Sequence, residues 1–167
     1  YAAVTFNLAT GLGNARNFAN VSGSDSADTI TGDSAANILI GGGGADQLNG
    51  SGGDDVIYGD YHTSDASGLL YGVRQYSMTE GNDTLNGGAG NDVLVGNGGA
   101  DVLDGGTGAD SLTGGSGADT FVLRAGDGGD SIGLADTITD FNAASDLLQL
   151  SGFTRSQLSI TLQSGNS

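Results

Sequence analysis

Aspartate recurs every nine residues through the middle of this chain, and each of these aspartates follows closely spaced glycines. The consecutive segments from Gly87 to Val122 read GGAGNDVLV, GNGGADVLD, GGTGADSLT and GGSGADTFV, which approximate G-G-x-G-x-D-x-U-x with U a large apolar residue. Glycine permits backbone angles closed to other residues, so the chain can turn sharply and bring its carbonyl oxygens together. Carboxylate and carbonyl oxygens are the ligands that a hard cation such as calcium prefers. The pattern therefore predicts turns that bind divalent cations.

The nine-residue spacing extends beyond these four segments. Position eight is apolar in every unit, and position six is Asp in every unit except the second, which has Asn37. The last three residues of a unit predict a short strand whose central side chain points to one side and whose flanking side chains point to the other. The sequence therefore predicts an all-β fold made of stacked units. These begin at Gly23, Gly32, Gly41, Gly50, Gly59, Gly87, Gly96, Gly105 and Gly114.

The first two units depart from the pattern at position four, where they carry Ser26 and Ala35. The second unit also lacks the acidic residue at position six. We therefore expect calcium binding at this end of the stack to be weaker or missing.

The fifth unit is interrupted by residues Tyr61 to Thr79, which separate Asp60 from Glu80. The interruption falls in the turn half of the unit, so we expect the strands on either side to keep their order, with a nineteen-residue loop at one edge. The loop contains three of the five tyrosines and the only histidine, His62. Loops of this length are usually functional or disordered. Both a packed or flexible elaboration and a ligand contact stay open.

Composition limits the classes of function. The 167 residues include 33 glycines and no cysteine, tryptophan or proline, so an ordinary bulky core is not expected. Twenty acidic residues against four Arg and no Lys give a net charge of -16, which repels nucleic acid and anionic membranes and attracts divalent cations. Disorder also produces acidic chains, but it would not place Asp at regular spacing. No apolar run approaches the roughly 20 residues that span a membrane.

Three regions follow from this spacing. Residues 1–22, with the alternating run Val4 to Leu8, predict a lead-in that covers the first coil. Residues 23–122 contain the repeats with the insertion at 61–79. Residues 123–167 keep the Asp-x-apolar spacing at Asp130, Asp136 and Asp146 and predict a carboxyl-terminal cap, with a last alternation at 158–162. No amino-terminal signal peptide is visible, and we expect the chain to belong to a larger protein.

The repeats from Gly41 to Val122 resemble those of the RTX family of calcium-binding proteins secreted by Gram-negative bacteria. The run NFANVSGSDSADTITGD (Asn17 to Asp33) is similar to the segment that leads into such repeats. GADTFVL and DTITDF (Gly117 to Leu123, Asp136 to Phe141) resemble their closing segment. The resemblance implies a right-handed parallel β-roll, a β-solenoid in which two nonamers make one coil and several calcium ions lie between turns of neighbouring coils. It also implies export by a type I secretion system and an extracellular or cell-surface location.

The resemblance places the calcium ligands at position six and in the glycine turns. The aspartates are Asp28, Asp46, Asp55, Asp83, Asp92, Asp101, Asp110 and Asp119. The glycines are Gly41, Gly42, Gly44, Gly50, Gly53, Gly81, Gly87, Gly88, Gly90, Gly96, Gly99, Gly105, Gly106, Gly108, Gly114 and Gly117.

The same resemblance pairs position six of one unit with position six two units later, which gives up to seven ions between coils. The pairs are Asp46 with Asp83, Asp83 with Asp101 and Asp101 with Asp119 on one edge, and Asp55 with Asp92 and Asp92 with Asp110 on the other. Asp28 with Asp46 and Asn37 with Asp55 are weaker candidates.

Positions seven and nine form two outer faces. In the even-numbered units this face is mostly apolar, and in the odd-numbered units it is mostly polar. An apolar row left in water often marks an interface. Cover by the chain's own termini or by the 61–79 loop, packing of a neighbouring domain, and self-association are the alternatives. The apolar residues are Ile38, Ile40, Val56, Tyr58, Val93 and Val95.

Catalysis finds little support. His62 has no thiol, lysine or zinc motif to work with, although Ser64 and Asp65 lie near it in sequence. Regular spacing makes the aspartates structural rather than a glycosidase pair. Two functions stay open: a non-catalytic module that folds on extracellular calcium and supports type I secretion, as part of a large adhesin or surface-layer protein; or the calcium-binding and substrate-binding module of a secreted protease, lipase or alginate epimerase.

Overall fold

The structure, a computed structural model, describes residues 3, 5–7, 20–60, 80–127 and 136–153. Each repeat unit contributes one strand, and consecutive strands enter alternate sheets, so two units make one coil. The strands are β1 Thr5–Asn7, β2 Asn20–Ser22, β3 Thr29–Thr31, β4 Ile38–Gly42, β5 Gln47–Asn49, β6 Val56–Asp60, β7 Thr84–Ala89, β8 Val93–Gly98, β9 Val102–Thr107, β10 Ser111–Ser116, β11 Thr120–Arg124, β12 Thr137–Ile138 and β13 Leu147–Ser151.

All strand pairs in the described ranges are parallel. Odd-numbered strands form one sheet in the order β1-β3-β5-β7-β9-β11-β13, and even-numbered strands form the other in the order β12-β10-β8-β6-β4-β2. This architecture is a parallel β-roll, as the sequence predicted. The register aligns like positions of successive coils, for example Leu94 with Leu112. Identical residues at identical positions therefore stack in rows along the roll.

The core is a single row of position-eight side chains from each sheet. Each of them is at most 2 % exposed, while positions seven and nine of the same strands are partly or fully exposed, except for Val122, which is 8 % exposed. The prediction of an inward-facing position eight is confirmed. The row consists of Ile30, Leu39, Leu48, Ile57, Leu85, Leu94, Leu103, Leu112 and Phe121. One apolar side chain per unit makes a thin core, so each coil buries little apolar surface of its own.

The insertion leaves the strand register undisturbed. Leu48 aligns with Leu85 across the insertion in the same way that Ile30 aligns with Leu48. Strand β6 ends at Asp60, and the described residues resume at Glu80. The Asp60 carboxylate is buried and accepts hydrogen bonds from Gly81 N–H (3.2 Å) and, in the next coil, from Gly98 N–H (3.3 Å). It thus links the two ends of the insertion to the coil that follows.

Both flanking regions add strands to the sheets. The lead-in contributes β1 and β2, which pair with β3 and β4. The segment after the repeats contributes β12 and β13, which pair with β10 and β11. Phe141 of this segment stacks obliquely on Phe121 with the ring centroids 6.1 Å apart. The predicted spacing at Asp130, the alternation at 158–162 and the loop residues His62, Ser64 and Asp65 lie outside the described residues.

The outer faces have the predicted composition. In the even sheet, Ile38 aligns with Val56 and Val93, and Ile40 aligns with Tyr58 and Val95. Val93 is 39 % exposed, and the other five side chains are partly buried. No helix in the described residues is long and apolar enough to cross a membrane.

The strands from β7 to β10 are longer than the predicted three residues. Each runs on through the first residues of the next unit, so that Gly88 pairs with Gly106 and Ala89 with Thr107. Paired backbones therefore extend into the turn, which brings the turns of adjacent coils into contact.

Removal of residues 61–79 tests the continuity of the roll. Joining Asp60 to Glu80 creates an uninterrupted nonamer, GDEGNDTLN, between strands whose register is already continuous. We expect the deletion variant to keep its strand circular dichroism in calcium-containing buffer, with an unchanged or higher midpoint of thermal unfolding, because removing the loop lowers the entropic cost of closing it by at most about 2–3 kcal/mol. Loss of the strand signal would mean that the insertion is required for the fold.

Candidate metal centres

The position-six side chains form a ladder along each edge of the roll. The N–H of each position-six residue donates to Oδ1 of the position-six aspartate in the next coil, with donor–acceptor distances of 2.7–3.0 Å inside the repeats. One ladder is Asp28–Asp46–Asp83–Asp101–Asp119, and the other is Asn37–Asp55–Asp92–Asp110. All seven pairs expected from the sequence are therefore adjacent. Whether each pair binds an ion stays a prediction.

The second oxygen of most ladder carboxylates has no partner. From the third unit onward, each Oδ2 is buried and accepts no hydrogen bond. A buried polar group without a partner loses the hydration it would have in the unfolded chain, and for a charged group this loss is severe. Seven such atoms point to a missing ligand. They belong to Asp46, Asp55, Asp83, Asp92, Asp101, Asp110 and Asp119.

The first glycine of each unit leaves room beside this oxygen. At Gly96, a Cβ atom would overlap Asp101 Oδ2 of the same unit and lie 2.6 Å from the Gly114 carbonyl oxygen of the next coil. Gly41 has the same surroundings, with Asp46 Oδ2 and the carbonyl of Gly59. A carboxylate oxygen and a main-chain carbonyl oxygen therefore converge where a side chain would otherwise lie. Both are ligands suited to a hard cation.

The turns adopt a left-handed backbone at position two in six of the units. Glycine does so readily, but Ser51 (φ 80°) and Asn97 (φ 78°) hold the same conformation without being glycine. The other four residues at this position are Gly42, Gly88, Gly106 and Gly115. A repeated conformation at a non-glycine residue shows that the turn geometry is imposed by the stack and not by local preference alone.

The first two units have a different turn. Neither shows a positive φ at position two or four. In these units the N–H of position two donates to the position-six side chain of its own turn, from Ser24 to Asp28 Oδ2 (2.5 Å) and from Asp33 to Asn37 Oδ1 (2.9 Å). The oxygen that is unpartnered elsewhere is satisfied by the protein here. This is a physical reason for the expected weakness of cation binding at this end.

Burial raises the pKa of the ladder carboxyls. The pKa rises to about 7 for Asp46, Asp83 and Asp101 and to about 6 for Asp92, because desolvation disfavours the ionised form; backbone hydrogen bonds offset part of this, and neighbouring carboxylates add to it. Asp55, Asp110 and Asp119 shift in the same direction for the same cause. At neutral pH the ionised form of these carboxyls is therefore destabilised by burial, and a bound cation would stabilise it.

The protein supplies little positive charge of its own. Arg124 is the only Arg or Lys among the described residues, and it forms a bidentate ion pair with Asp104 (2.5 and 2.6 Å) at the surface. Within the described residues, no three acidic or histidine side chains gather into a metal-binding group. An ion between coils would therefore need main-chain carbonyl oxygens as well as the carboxylates.

A comparison with protein families matches the repeats. The family of the RTX calcium-binding nonapeptide repeat matches residues 22–57, 79–112 and 95–132, which together make up more than half of the chain. This chain belongs to the RTX family. No curated protein matches it at a significant level. The repeats are calcium-binding units, and the residues present fit the ion, since a buried unpartnered carboxylate oxygen and a carbonyl oxygen of the next coil converge at the first glycine of five units, Gly41, Gly50, Gly59, Gly87 and Gly96.

Sequence reasoning missed four features of the RTX ladders. Asp136 and Asp146 extend them beyond the repeats, by accepting from Asp110 N–H (3.1 Å) and Asp119 N–H (3.2 Å). The Asp-x-apolar spacing around both residues was the available signal. Asp60 gave no signal, because the pattern specifies glycine and not an acidic residue at position two. Position-five side chains such as Asn82, which accepts from Ala100 N–H (2.7 Å), form a further set of bonds at a position that the pattern leaves unspecified.

Gly96→Ala tests the cradle. The added Cβ meets a main-chain carbonyl that cannot rotate away, so we expect a loss of about 1–3 kcal/mol in the free energy of unfolding of the calcium-loaded chain, as is usual for overpacking. Gly52→Ala is the matched control, since its Cβ would lie 3.6 Å from the nearest atom, the Ala89 carbonyl oxygen. Denaturant unfolding of both variants gives the comparison. Equal stability of the two would argue against a closed cradle.

The pKa shifts set the pH dependence of the calcium-free chain. The pKa of these ladder carboxyls is higher in the fold than its ordinary value of 3.8, so their protonation stabilises the fold. This stabilisation is full below about pH 4 and is lost as the pH rises through about 7. We expect metal-free protein to be more stable at pH 5 than at pH 7.5, and calcium affinity to fall over the same interval on acidification. Far-ultraviolet circular dichroism of metal-free protein at the two pH values checks the sign, with more strand signal expected at pH 5; more strand signal at pH 7.5 would refute it.

Proposed function

We propose that this RTX chain is a non-catalytic module whose folding is driven by calcium outside the cell. The observation that supports it is the pair of ladders with seven buried, unpartnered carboxylate oxygens and, in the described residues, no cationic side chain directed at them. In an unfolded chain these carboxylates are hydrated and far apart. In the roll they are dry and stacked, so the fold is favoured only when a divalent ion restores the lost interactions.

We infer that the ions lie beside the unpartnered oxygens and not at every adjacent pair. Asp46, Asp55, Asp83, Asp92, Asp101, Asp110 and Asp119 would provide the side-chain ligands. Carbonyl oxygens of the first glycines would provide main-chain ligands. Asp28 is left out because its Oδ2 already accepts the Ser24 N–H. Calcium supplies the positive charge and the flexible coordination by oxygen that these sites lack.

Coupling of folding to calcium binding is compatible with secretion of the unfolded chain. A chain that stays unfolded in the calcium-poor cytoplasm can pass a type I secretion system and then fold in extracellular calcium, where modules bind with dissociation constants of about 10⁻⁴–10⁻³ M. We propose a parent of the adhesin or surface-layer type, secreted by a Gram-negative bacterium. A secreted enzyme that uses the module beside its catalytic domain is the alternative parent. The packing of a partner on the apolar face of the even sheet stays a prediction.

A calcium titration followed by far-ultraviolet circular dichroism tests the proposal. We expect strand signal to appear with calcium in the sub-millimolar to millimolar range and to disappear with excess chelator. Magnesium is the control ion, because it is smaller and gives up its hydration shell reluctantly, so it should be much less effective. Strand signal that is the same with calcium and with chelator would rule out calcium-driven folding.

Asp55→Asn and Asp54→Asn sharpen this test, since the two residues are adjacent and the charge change is the same. Asp55 is buried in the ladder with an unpartnered Oδ2, whereas Asp54 is exposed and accepts only the Asn91 N–H (2.8 Å) in the described residues. Asn retains an acceptor oxygen in both cases. We expect Asp55→Asn to raise the calcium midpoint severalfold, and Asp54→Asn to leave it nearly unchanged. Equal midpoints would place the ions elsewhere.

A further inference from the structure

The even-sheet ladder continues one coil beyond the last repeat. Thr137 N–H donates to the Asp110 carbonyl (2.8 Å), and Ile138 aligns with Leu112. Asp136 therefore occupies position six of a coil that has no nonapeptide sequence, and its Oδ1 accepts the Asp110 N–H (3.1 Å) as in the coils before. It lies 26 residues after Asp110, not 18, and outside the residues that match the repeat family.

Asp110 and Asp136 face each other as two acidic groups. The Asp136 carboxylate accepts the main-chain N–H of Asp110, which makes the two residues neighbours in the ladder, and Asp127 adds a third negative charge nearby, 3.7 Å from Arg124. Asp110 is 2 % exposed, and its Oδ2 has no hydrogen-bond partner. Two neighbouring carboxylates repel each other unless a proton or a cation lies between them. Arg124 is held by Asp104 and does not fill this role.

The corresponding residue of the odd sheet is satisfied by the protein. Asp146 Oδ2 accepts the Asn142 N–H (2.7 Å), and its Oδ1 accepts the Ser145 hydroxyl (2.8 Å) and the Asp119 N–H (3.2 Å). These bonds lower the pKa of Asp146, although burial opposes them. Asp136 receives one donor among the described residues, the Asp110 N–H. The two cap carboxylates occupy equivalent places in the two ladders but differ in their hydrogen bonds. Asp146 accepts three from the described residues, and Asp136 accepts one.

We propose that a calcium ion bridges the carboxylates of Asp110 and Asp136 and so joins the cap to the last coil of the even sheet. The inference rests on the proposed function, since it assumes that the repeats bind calcium. It extends the sites to a residue that the nonapeptide pattern does not contain. β12 has only two residues, so the ion would supply much of what holds this strand in place.

Calcium stoichiometry distinguishes the two cap residues. Equilibrium dialysis of the full chain at saturating calcium should give one ion fewer per chain for Asp136→Asn than for the wild type. Asn keeps an oxygen that can accept the Asp110 N–H, so the strand register should survive. Asp146→Asn is the control, with the same charge change in the adjacent cap strand, and should bind as many ions as the wild type.

The outcomes separate this inference from the proposed function. A wild-type chain that binds no calcium would overturn both. A wild-type chain that binds calcium, with an unchanged number of ions in Asp136→Asn, would overturn the cap site alone. An equal loss in Asp136→Asn and Asp146→Asn would also overturn it, because it would report a general weakening of the cap.

A measurement on the wild type covers the case in which Asp136→Asn does not fold. Crystals of the calcium-loaded chain should show an ion about 2.3–2.6 Å from oxygens of both Asp110 and Asp136, the usual calcium–oxygen distance. Ions beside other ladder carboxylates with none between these two residues would refute the cap site and leave the proposed function intact.

Discussion

The structure depends on how a row of buried carboxylates is stabilised. From Asp46 onward, one oxygen of each ladder aspartate accepts a hydrogen bond from the amide of the preceding coil, which fixes the spacing between coils. The other oxygen points into the turn without a partner. The first bond makes the stack regular, and in the proposed function the second oxygen makes it dependent on a cation. Stability and metal binding therefore reside in the same side chain, which is why the repeat keeps Asp at position six and glycine beside it.

The thin core explains why this dependence is tolerated. One apolar residue per unit, such as Leu94 or Leu103, buries far less surface than the side chains of an ordinary domain. Glycine-rich turns also lose much backbone entropy on folding. The hydrophobic contribution can align the sheets, but in the proposed function ion binding decides whether the chain is folded. Calcium-driven folding of this kind requires a core that is not sufficient by itself.

Much of the roll could be predicted from sequence because its information is local and repeated. The nine-residue spacing was enough to predict the inward row from Ile30 to Phe121 and the uninterrupted register across residues 61–79, and the resemblance to the RTX family added the alternation of sheets. The two hydrogen-bond patterns that decide ion binding were not predictable, because they depend on contacts between coils. Asp28 and Asp46 look alike in sequence, yet a turn amide satisfies the Oδ2 of Asp28 and none satisfies that of Asp46. Asp136 and Asp146 show the same difference in the cap.

The most direct test of the central claim is the size of the chain with and without calcium at pH 7.5, measured by small-angle X-ray scattering. If the buried carboxylates prevent folding until an ion meets them, the calcium-free radius of gyration should lie near the roughly 43 Å of an unfolded chain of this length and fall toward about 15 Å when calcium is added. A chain that is equally compact in calcium and in chelator would show that the carboxylates can be buried without a cation, and that calcium is incidental to the fold.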